Sequence, residues 1–460
     1  MRVVVAKFGG GLMDPSGERI PSILQRIREM GREGDVRVLA IFSAFKGFTD
    51  RLQRIGEEKA SSGKASIKEI FDIYRGLAGR FLREGERRLF LEELSQYEVE
   101  AEETLATVNR RFSGRPKARL LTSGGELPVS AIMDYALRSL GIDAEHLTKE
   151  RWPIITDDNF EDATPIYRLS MGRIAPLKEL LEEGKTVVLA GFLGMTTDGL
   201  ETILGRGGSD QSAVFISHLL KAFYDVETIL FKETPVLSAD PRILKDQNPR
   251  YVHRLTYDEA IRASSMGMKI VQNHAVKRAQ SYGLAIKVAA LEDPGHFTMI
   301  QERDEGYELV KCIAGKRNCA LLTMDGEASR YLENILKVWG KYEDFIDLGA
   351  EVLDTGRVVR NFLILDEGFV KKHLGRLRVF GERVEVEYGL GAVTLIGDRV
   401  TDFPEVISMA LEALSNIGVK VKKSALTPHS SQIILVIDRD RVEEAIRAVH
   451  SKIDEMNERL

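Results

Sequence analysis

The stretch Gly205-Arg206-Gly207-Gly208-Ser209-Asp210, running into a mostly apolar, helix-length segment that ends near Ala222, decides the reading of this chain. A glycine-rich loop that opens a helix brings backbone N–H groups and the positive end of the helix dipole to one point. Arg206 can clasp a carboxylate through two parallel hydrogen bonds. The same residues also admit a plainer role, because Ser209 and Asp210 are good helix N-caps. No GxxxxGK[ST] occurs, so the loop is not of the Walker type.

Working outward, the first three hundred residues alternate short apolar runs with helical patterns. Val3 to Ala6 precedes Gly9-Gly10-Gly11, Val38 to Phe42 precedes Ser43-Ala44 and Gly47, and Thr186 to Leu189 ends at Gly191. Runs this continuous suit strands covered on both faces. Helix-length segments such as Ile20 to Met30 lie between them, so the alternation predicts a doubly wound, mainly parallel α/β domain. Such sheets bind ligands at the carboxyl ends of their strands. Two further glycine points stand there. Lys7 beside Gly9 and Gly10 can neutralise an anion that the glycines let approach. Ser123-Gly124-Gly125-Glu126 precedes a helical pattern from Val129 and reads equally as an ordinary turn.

Residues 66–112 carry Ile67, Ile70, Phe71, Tyr74, Leu77 and Phe81 at three- and four-residue spacing, then Leu94, Val99, Leu105 and Val108 more loosely. This predicts a helical insertion, either a lid or a surface helix pair without a role. A charged stretch at 302–308 marks a boundary. Beyond it, Ala392 to Ile396, the helix face Val406, Met409, Ala410, Ala413, Leu414 and Ile417, then Ile433 to Ile437 and Val442 to Ile453 form one β-α-β-β-α unit. A weaker copy precedes it, from Cys319 to Thr323, through the helix face Tyr331, Ile335 and Trp339, to Phe362 to Leu365.

With 460 residues the chain has room for about three domains. A net charge of -5 gives no footing for nucleic acid. No apolar run of 18 residues occurs, so no membrane span is expected. The Met1 end lacks the apolar core of a signal peptide. Two cysteines, Cys312 and Cys319, fit neither a disulfide framework nor a common zinc pattern. A cytoplasmic protein is the default.

Taken in order, these motifs resemble the aspartate kinase family, within the amino-acid-kinase superfamily and carrying two C-terminal ACT domains. Lys7-Phe8-Gly9-Gly10 is similar to the family's KFGG, and Ser43-Ala44 with Gly47, Thr49 and Asp50 to its second strand-end motif. Gly125-Glu126-Leu127 is similar to its GE motif and Gly205 to Asp210 to its GRGGSD. Ala239-Asp240-Pro241-Arg242 is similar to its ADPR and Gly267-Met268-Lys269-Ile270 to its GAKV.

The resemblance implies a three-layer α/β/α sandwich with a mainly parallel central sheet, plus two small α+β ACT-like domains. Its boundaries are a kinase domain over 1–304, a first unit over 309–386 and a second over 388–460. It implies ATP-dependent phosphorylation of the side chain of L-aspartate to 4-phospho-L-aspartate, towards lysine, threonine and methionine, with Mg²⁺. Lys7 and Asp210 are then catalytic. Thr49, Glu126, Arg206 and Ser209 hold the amino acid. Lys7, Gly9, Gly10, Lys232, Arg242, Lys269 and Ile270 face the nucleotide, and no residue is a dedicated metal ligand. The ACT units imply an amino-acid effector or a dimerisation sheet, and a homodimer or larger assembly.

The chain departs from the pattern in places. Gly11-Leu12 replaces Thr-Ser after KFGG, and Val129 replaces the serine of GE-x-x-S, with Ser130 adjacent. Phe231-Lys232 replaces the Thr-Asp pair that meets the nucleotide, and Met324 to Ala328 and Gly349-Ala350-Glu351 depart from the first ACT loop motifs. Three readings follow: altered nucleotide contacts with Lys232 near the phosphates, a different nucleotide or acceptor, or a weakly active regulatory relative.

Overall fold

The computed structural model describes residues 1–458 except 33, 245–246, 269, 304–305, 307, 326–328, 330–331, 333, 335, 337–344, 381–382 and 427–428. The chain divides into two compact units, Met1–Pro235 with His274–Glu302, and Val236–Asn273 with Arg303–Leu460.

The strands of the first unit are β1 (Arg2–Phe8), β2 (Val36–Phe42), β3 (Ala144–His146), β4 (Thr186–Ala190), β5 (Leu193–Met195), β6 (Glu201–Ile203) and β7 (Asp225–Lys232). β8 (Arg254–Thr256) falls in the second unit, and β9 (Ile286–Ala290) and β10 (Phe297–Gln301) return to the first. Within the first unit the sheet runs β3-β4-β2-β1-β7-β9-β10. Its pairs are parallel up to β9, and β10 closes the edge antiparallel. β1, β2 and β4 are buried almost throughout, which is why their sequences show no polar alternation. The chain leaves β1 towards β2 on one side and later leaves β7 towards β9 on the other. The carboxyl ends of β1 and β7 therefore sit at a switch point of the topology.

The helix Ile20–Met30 forms over the expected residues and buries Ile20, Ile23, Leu24, Ile27 and Met30 on one face. The helix after the glycine loop runs Gly208–Leu220, so it begins inside the motif. Its N-cap is Gly207 in the left-handed region (φ +67°), and Ser209 and Asp210 lie in the first turn. Neither caps the helix, and both side chains are left for other work.

The segment 66–112 forms the helices Lys68–Phe81 and Glu84–Thr107. Ile70, Phe71, Tyr74 and Leu77 are buried on the first, and the second packs on the helix Leu127–Ser139. Leu94, Leu105 and Val108 are buried as expected, whereas Val99 is exposed, because the period there drifts off the packed face. The pair is layered into the unit and is not a bare surface hairpin.

In the second unit, β11 (Cys312–Asp325), β12 (Phe345–Val352), β13 (Val358–Ile364), β14 (Val384–Ile396), β15 (Lys423–Ala425) and β16 (Gln432–Asp438) form one antiparallel sheet in the order β12-β13-β11-β14-β16-β15. β11 and β14 are long, and pair in two stretches separated by register shifts between Lys316 and Leu321. One hydrophobic core gathers Ile313, Val393, Leu395, Met409, Leu414, Ile433 and Ile446; the other gathers Leu322, Met324, Leu332, Phe362 and Val370. The expected boundary at 386–388 therefore falls inside a continuous strand. Leu309, Val310 and Ile313, placed by sequence in the first small unit, pack in the core of the second. Residues 236–273, placed by sequence in the kinase domain, group with the second compact unit. The helix face Tyr331, Ile335 and Trp339 lies outside the described residues. Among the described residues, no helix is long and apolar enough to cross a membrane.

Candidate active site

At the carboxyl end of the sheet, Phe8, Phe42 and Phe231 stand in register on β1, β2 and β7. Their rings stack, Phe8 on Phe231 at 5.0 Å and 7° and Phe8 on Phe42 at 5.3 Å and 17°. Phe231 is fully buried there. It is a packing residue, so the Phe231-Lys232 departure divides by strand alternation. Phe231 enters the core, and Lys232 turns to the face that carries Lys7.

The helix Gly208–Leu220 covers that face and presents Asp210 to both lysines. Lys7 Nζ donates to Asp210 Oδ1 at 2.5 Å, and Lys232 Nζ to Asp210 Oδ2 at 3.3 Å. Burial works against the Asp210 charge, but Lys232 and Lys7 outweigh it and hold the carboxyl well below the usual range. Burial, with the like charge of Lys232, brings Lys7 down to about 8 in spite of Asp210. Gly9 leaves the space above this cluster open. A Cβ there would stand 3.3 Å from Lys7 Nζ and 3.7 Å from the Phe231 carbonyl oxygen. Gly10 faces the Ala44 carbonyl. Leu12, where the family has a hydroxyl, is buried.

The loop before the helix is held by its own geometry. Gly205 and Gly207 both have positive φ, and a Cβ on Gly205 would collide with the Asp162 carboxylate. Gln211 Nε2 donates to the carbonyls of Leu204 (2.8 Å) and Arg206 (3.1 Å). Phe192, alongside, is a non-glycine residue at φ +71°, a conformation that concentrates at functional sites. Ser209 is buried against Gly191, where any side chain would overlap its Cβ. Arg206 is exposed, and its guanidinium has no hydrogen bond or ion pair among the described residues.

Ser123 to Glu126 is not a turn. Thr122–Glu126 is a π-helical turn, continuous with the helices Arg115–Leu121 and Leu127–Ser139. π-turns of this kind recur at functional sites. Gly124 is required by Leu52, which a Cβ would meet at 2.6 Å. Glu126 is 4% exposed, and its Oε2 has no hydrogen-bond partner. Burial pushes its carboxyl up to about 8, against the backbone N–H groups of Ala44 and Glu126 and the charge of Lys7. Ser130, the neighbour of the replaced serine, is buried and donates to the Leu127 carbonyl at 2.9 Å. Thr49 stands half-buried in the first turn of the helix Phe48–Ser62, which starts after Gly47 at φ +82°.

The first unit thus brings together Lys7, Gly9, Lys232, Asp210 and Ser209, with Glu126 electrostatically coupled to Lys7. Arg242 and Ile270 belong to the second unit. Arg242 is exposed and forks onto Asp240, Nε to Oδ1 at 3.0 Å and Nη2 to Oδ2 at 2.5 Å. Ile270 is buried and its N–H is taken by the Met268 carbonyl. Lys269 lies outside the described residues. Sequence reasoning missed the second role of Tyr74, which it took for a helix-face residue only. The Tyr74 hydroxyl meets the carbonyls of Gly124 (3.1 Å) and Gly125 (2.9 Å), which fixes the turn that carries Glu126. Nothing in a helical spacing signals a hydroxyl aimed at another segment.

The amino acid kinase family model matches residues 2–290, and the chain belongs to that family. Among relatives, it is 28% identical over 357 residues to the aspartokinase of Geobacillus stearothermophilus, covering 75% of this chain and 84% of that protein. It is 26% identical over 470 aligned positions to the aspartokinase of Helicobacter pylori, covering 98% of each. Among solved structures, Escherichia coli aspartokinase III in complex with aspartate and ADP has the same fold, with a TM-score of 0.77 at 20% identity over 98% of this chain and 99% of that one.

Proposed function

We propose that the chain is an aspartate kinase, which moves the terminal phosphoryl group of ATP to the side-chain carboxylate of L-aspartate and forms 4-phospho-L-aspartate and ADP. The observation that carries this reading is the pairing of a buried carboxyl with one unpartnered oxygen, Glu126 Oε2, with the Lys7–Asp210–Lys232 cluster at the switch point of the sheet. An amino acid brings an ammonium and carboxylates. Glu126 answers the ammonium, and Arg206, Thr49 and Ser209 answer the carboxylates.

The acceptor carboxylate is already ionised near neutral pH, so no general base is required. The difficulty is that two anions must meet, and catalysis rests on position and on offsetting charge. ATP supplies the phosphoryl group and an activated leaving group. Lys7 faces the transferred group, Asp210 fixes the ammonium groups of Lys7 and Lys232, and Lys232 adds a second cation. Gly9 and Gly10 leave room for phosphate oxygens that a Cβ would fill. Arg242, Lys269 and Ile270 are assigned to the nucleotide by the resemblance of their motifs alone.

Among the described residues, no group of three or more His, Cys, Asp or Glu could hold a metal, and Asp210 is committed to two lysines. Mg²⁺ would enter on the nucleotide phosphates, with its own waters. The C-terminal units are the place for an amino-acid effector and for pairing with a second copy, and the cytoplasm is the compartment that suits these substrates. The deciding experiment supplies the full chain with ATP, Mg²⁺, L-aspartate and hydroxylamine. Aspartyl hydroxamate is expected. Folded protein that yields none above background would refute the reading.

A further inference from the structure

Pro128 stands four residues beyond Gly124 and has no N–H to give to the Gly124 carbonyl, which would take one there in an α-helix. The chain answers with the π-helical turn Thr122–Glu126, in which the Leu127 N–H reaches back to the Thr122 carbonyl. Hydroxyls take up carbonyls along this stretch. Thr122 Oγ1 donates to the Ala118 carbonyl at 3.0 Å and Ser123 Oγ to the Arg119 carbonyl at 2.7 Å. Those two are local. The third comes from another element: the Tyr74 hydroxyl, on the helix Lys68–Phe81, donates to the carbonyls of Gly124 and Gly125. Burial and the charge of Glu126 hold the Tyr74 phenol well above its ordinary pKa, so it stays a donor.

The Tyr74 ring serves a second segment. It packs 5.8 Å from the Phe45 ring and edge-on to Phe48 at 5.6 Å and 84°. Phe45 lies in the loop after β2, and Phe48 opens the helix Phe48–Ser62, whose first turn holds Thr49. The loop and the π-turn also lie against each other. A Cβ on Gly125 would stand 3.3 Å from that of Ala44, and the Ala44 N–H donates to the Glu126 carboxyl. One side chain thus braces both segments: its hydroxyl sets the turn that carries Glu126, and its ring seats the loop that leads to Thr49. Tyr74 itself is 0% exposed and meets no substrate.

We propose that Tyr74 is a positioning residue for the acceptor amino acid: it holds Glu126 and Thr49 at the spacing that the ammonium and carboxylate require, so the helical insertion is the back wall of the acceptor site and not a lid. The inference rests on the reading of Glu126 as the ammonium contact, and the test separates the two.

Steady-state constants are measured on the full chain and on Tyr74→Phe, Phe71→Leu and Glu126→Gln, with melting curves beside them. Tyr74→Phe keeps the ring and loses the hydroxyl. It is expected to raise the KM for aspartate about three- to thirtyfold, the usual range for coupling through a packed network. The KM for ATP and kcat should stay within about twofold. Phe71, 6.1 Å from Tyr74 in the same buried cluster, controls for packing alone. Phe71→Leu should melt lower than the wild type with both KM values within about twofold. A normal KM for aspartate in Tyr74→Phe, with a raised value in Glu126→Gln, overturns the positioning role and leaves the aspartate reading standing. A normal value in Glu126→Gln overturns the reading beneath it. A rise in both KM values together in Tyr74→Phe, an equal rise for aspartate in Phe71→Leu, or loss of folding in Tyr74→Phe assigns the hydroxyl to general structure and also overturns the inference.

Discussion

Replacing Glu126 by Gln tests the amino-acid half of the site, because one buried carboxyl there links stability, pH and substrate binding. Its pKa stands at about 8 in the fold, against an ordinary 4.5. A carboxyl whose pKa rises on folding stabilises the protein fully below the unfolded value, and that contribution is lost as pH rises through the folded one. At about 1.4 kcal/mol per tenfold change in proton affinity, the ionised form costs the fold on the order of 5 kcal/mol once the pH passes 8. Gln has no such titration. Substrate-free E126Q should therefore melt near the wild type at pH 5 and above it at pH 8.

Binding runs the other way. The substrate ammonium needs the carboxylate, so the Glu126 proton must leave, and the wild-type KM for aspartate should fall as pH rises towards 8. Gln forfeits a charge-assisted hydrogen bond of about 1.5–3 kcal/mol, which is roughly a ten- to hundredfold rise in KM at pH 8. The assay is ADP release against aspartate concentration at several pH values, beside thermal denaturation without ligands. Lower stability of E126Q at pH 8 would mean that the carboxylate is already compensated. An unchanged KM would place the ammonium elsewhere.

Other perturbations address the remaining parts of the cluster. Asp210→Asn leaves Lys7 and Lys232 without their shared anion, and kcat should fall by about a hundredfold or more, as when a positioned charge is lost, with the KM for aspartate nearly unchanged; an Asn variant of normal kcat would remove Asp210 from the machinery. Lys7 titrates near 8 and must be a cation to meet phosphate, so the KM for ATP should rise as pH passes that value, opposite to the aspartate trend; a flat profile from pH 7 to 9 would contradict the assignment. Phe231→Thr, which restores the family residue, should cost about 3–5 kcal/mol through the cavity left in the aromatic stack. It should not improve nucleotide binding. A gain in ATP affinity without destabilisation, read from unfolding curves and KM, would show that Phe231 faces the ligand.

Much of this protein was legible in the order of its residues. The strands β1, β2 and β4 and the helix Ile20–Met30 follow from local hydrophobic period, which depends only on near neighbours. The glycines at positions 205 and 207 announced a loop that other residues could not make, and their left-handed φ angles agree. What period cannot report is which distant residues meet. Asp210 becomes a bridge between Lys7 and Lys232 only because β1 and β7 are adjacent and one helix covers both. The same pairing separates Phe231 from Lys232, two neighbours that the sequence treated as one altered motif. The π-turn at Glu126 could not be seen locally, since it is held from outside by Tyr74 and Leu52. The small C-terminal units read as tandem copies, yet their core residues interleave through two long strands, because β-pairing joins segments far apart in the chain. Sequence alone determined the elements and the chemical types of the site. Tertiary structure decided their partners, since burial and pairing are properties of space and not of spacing.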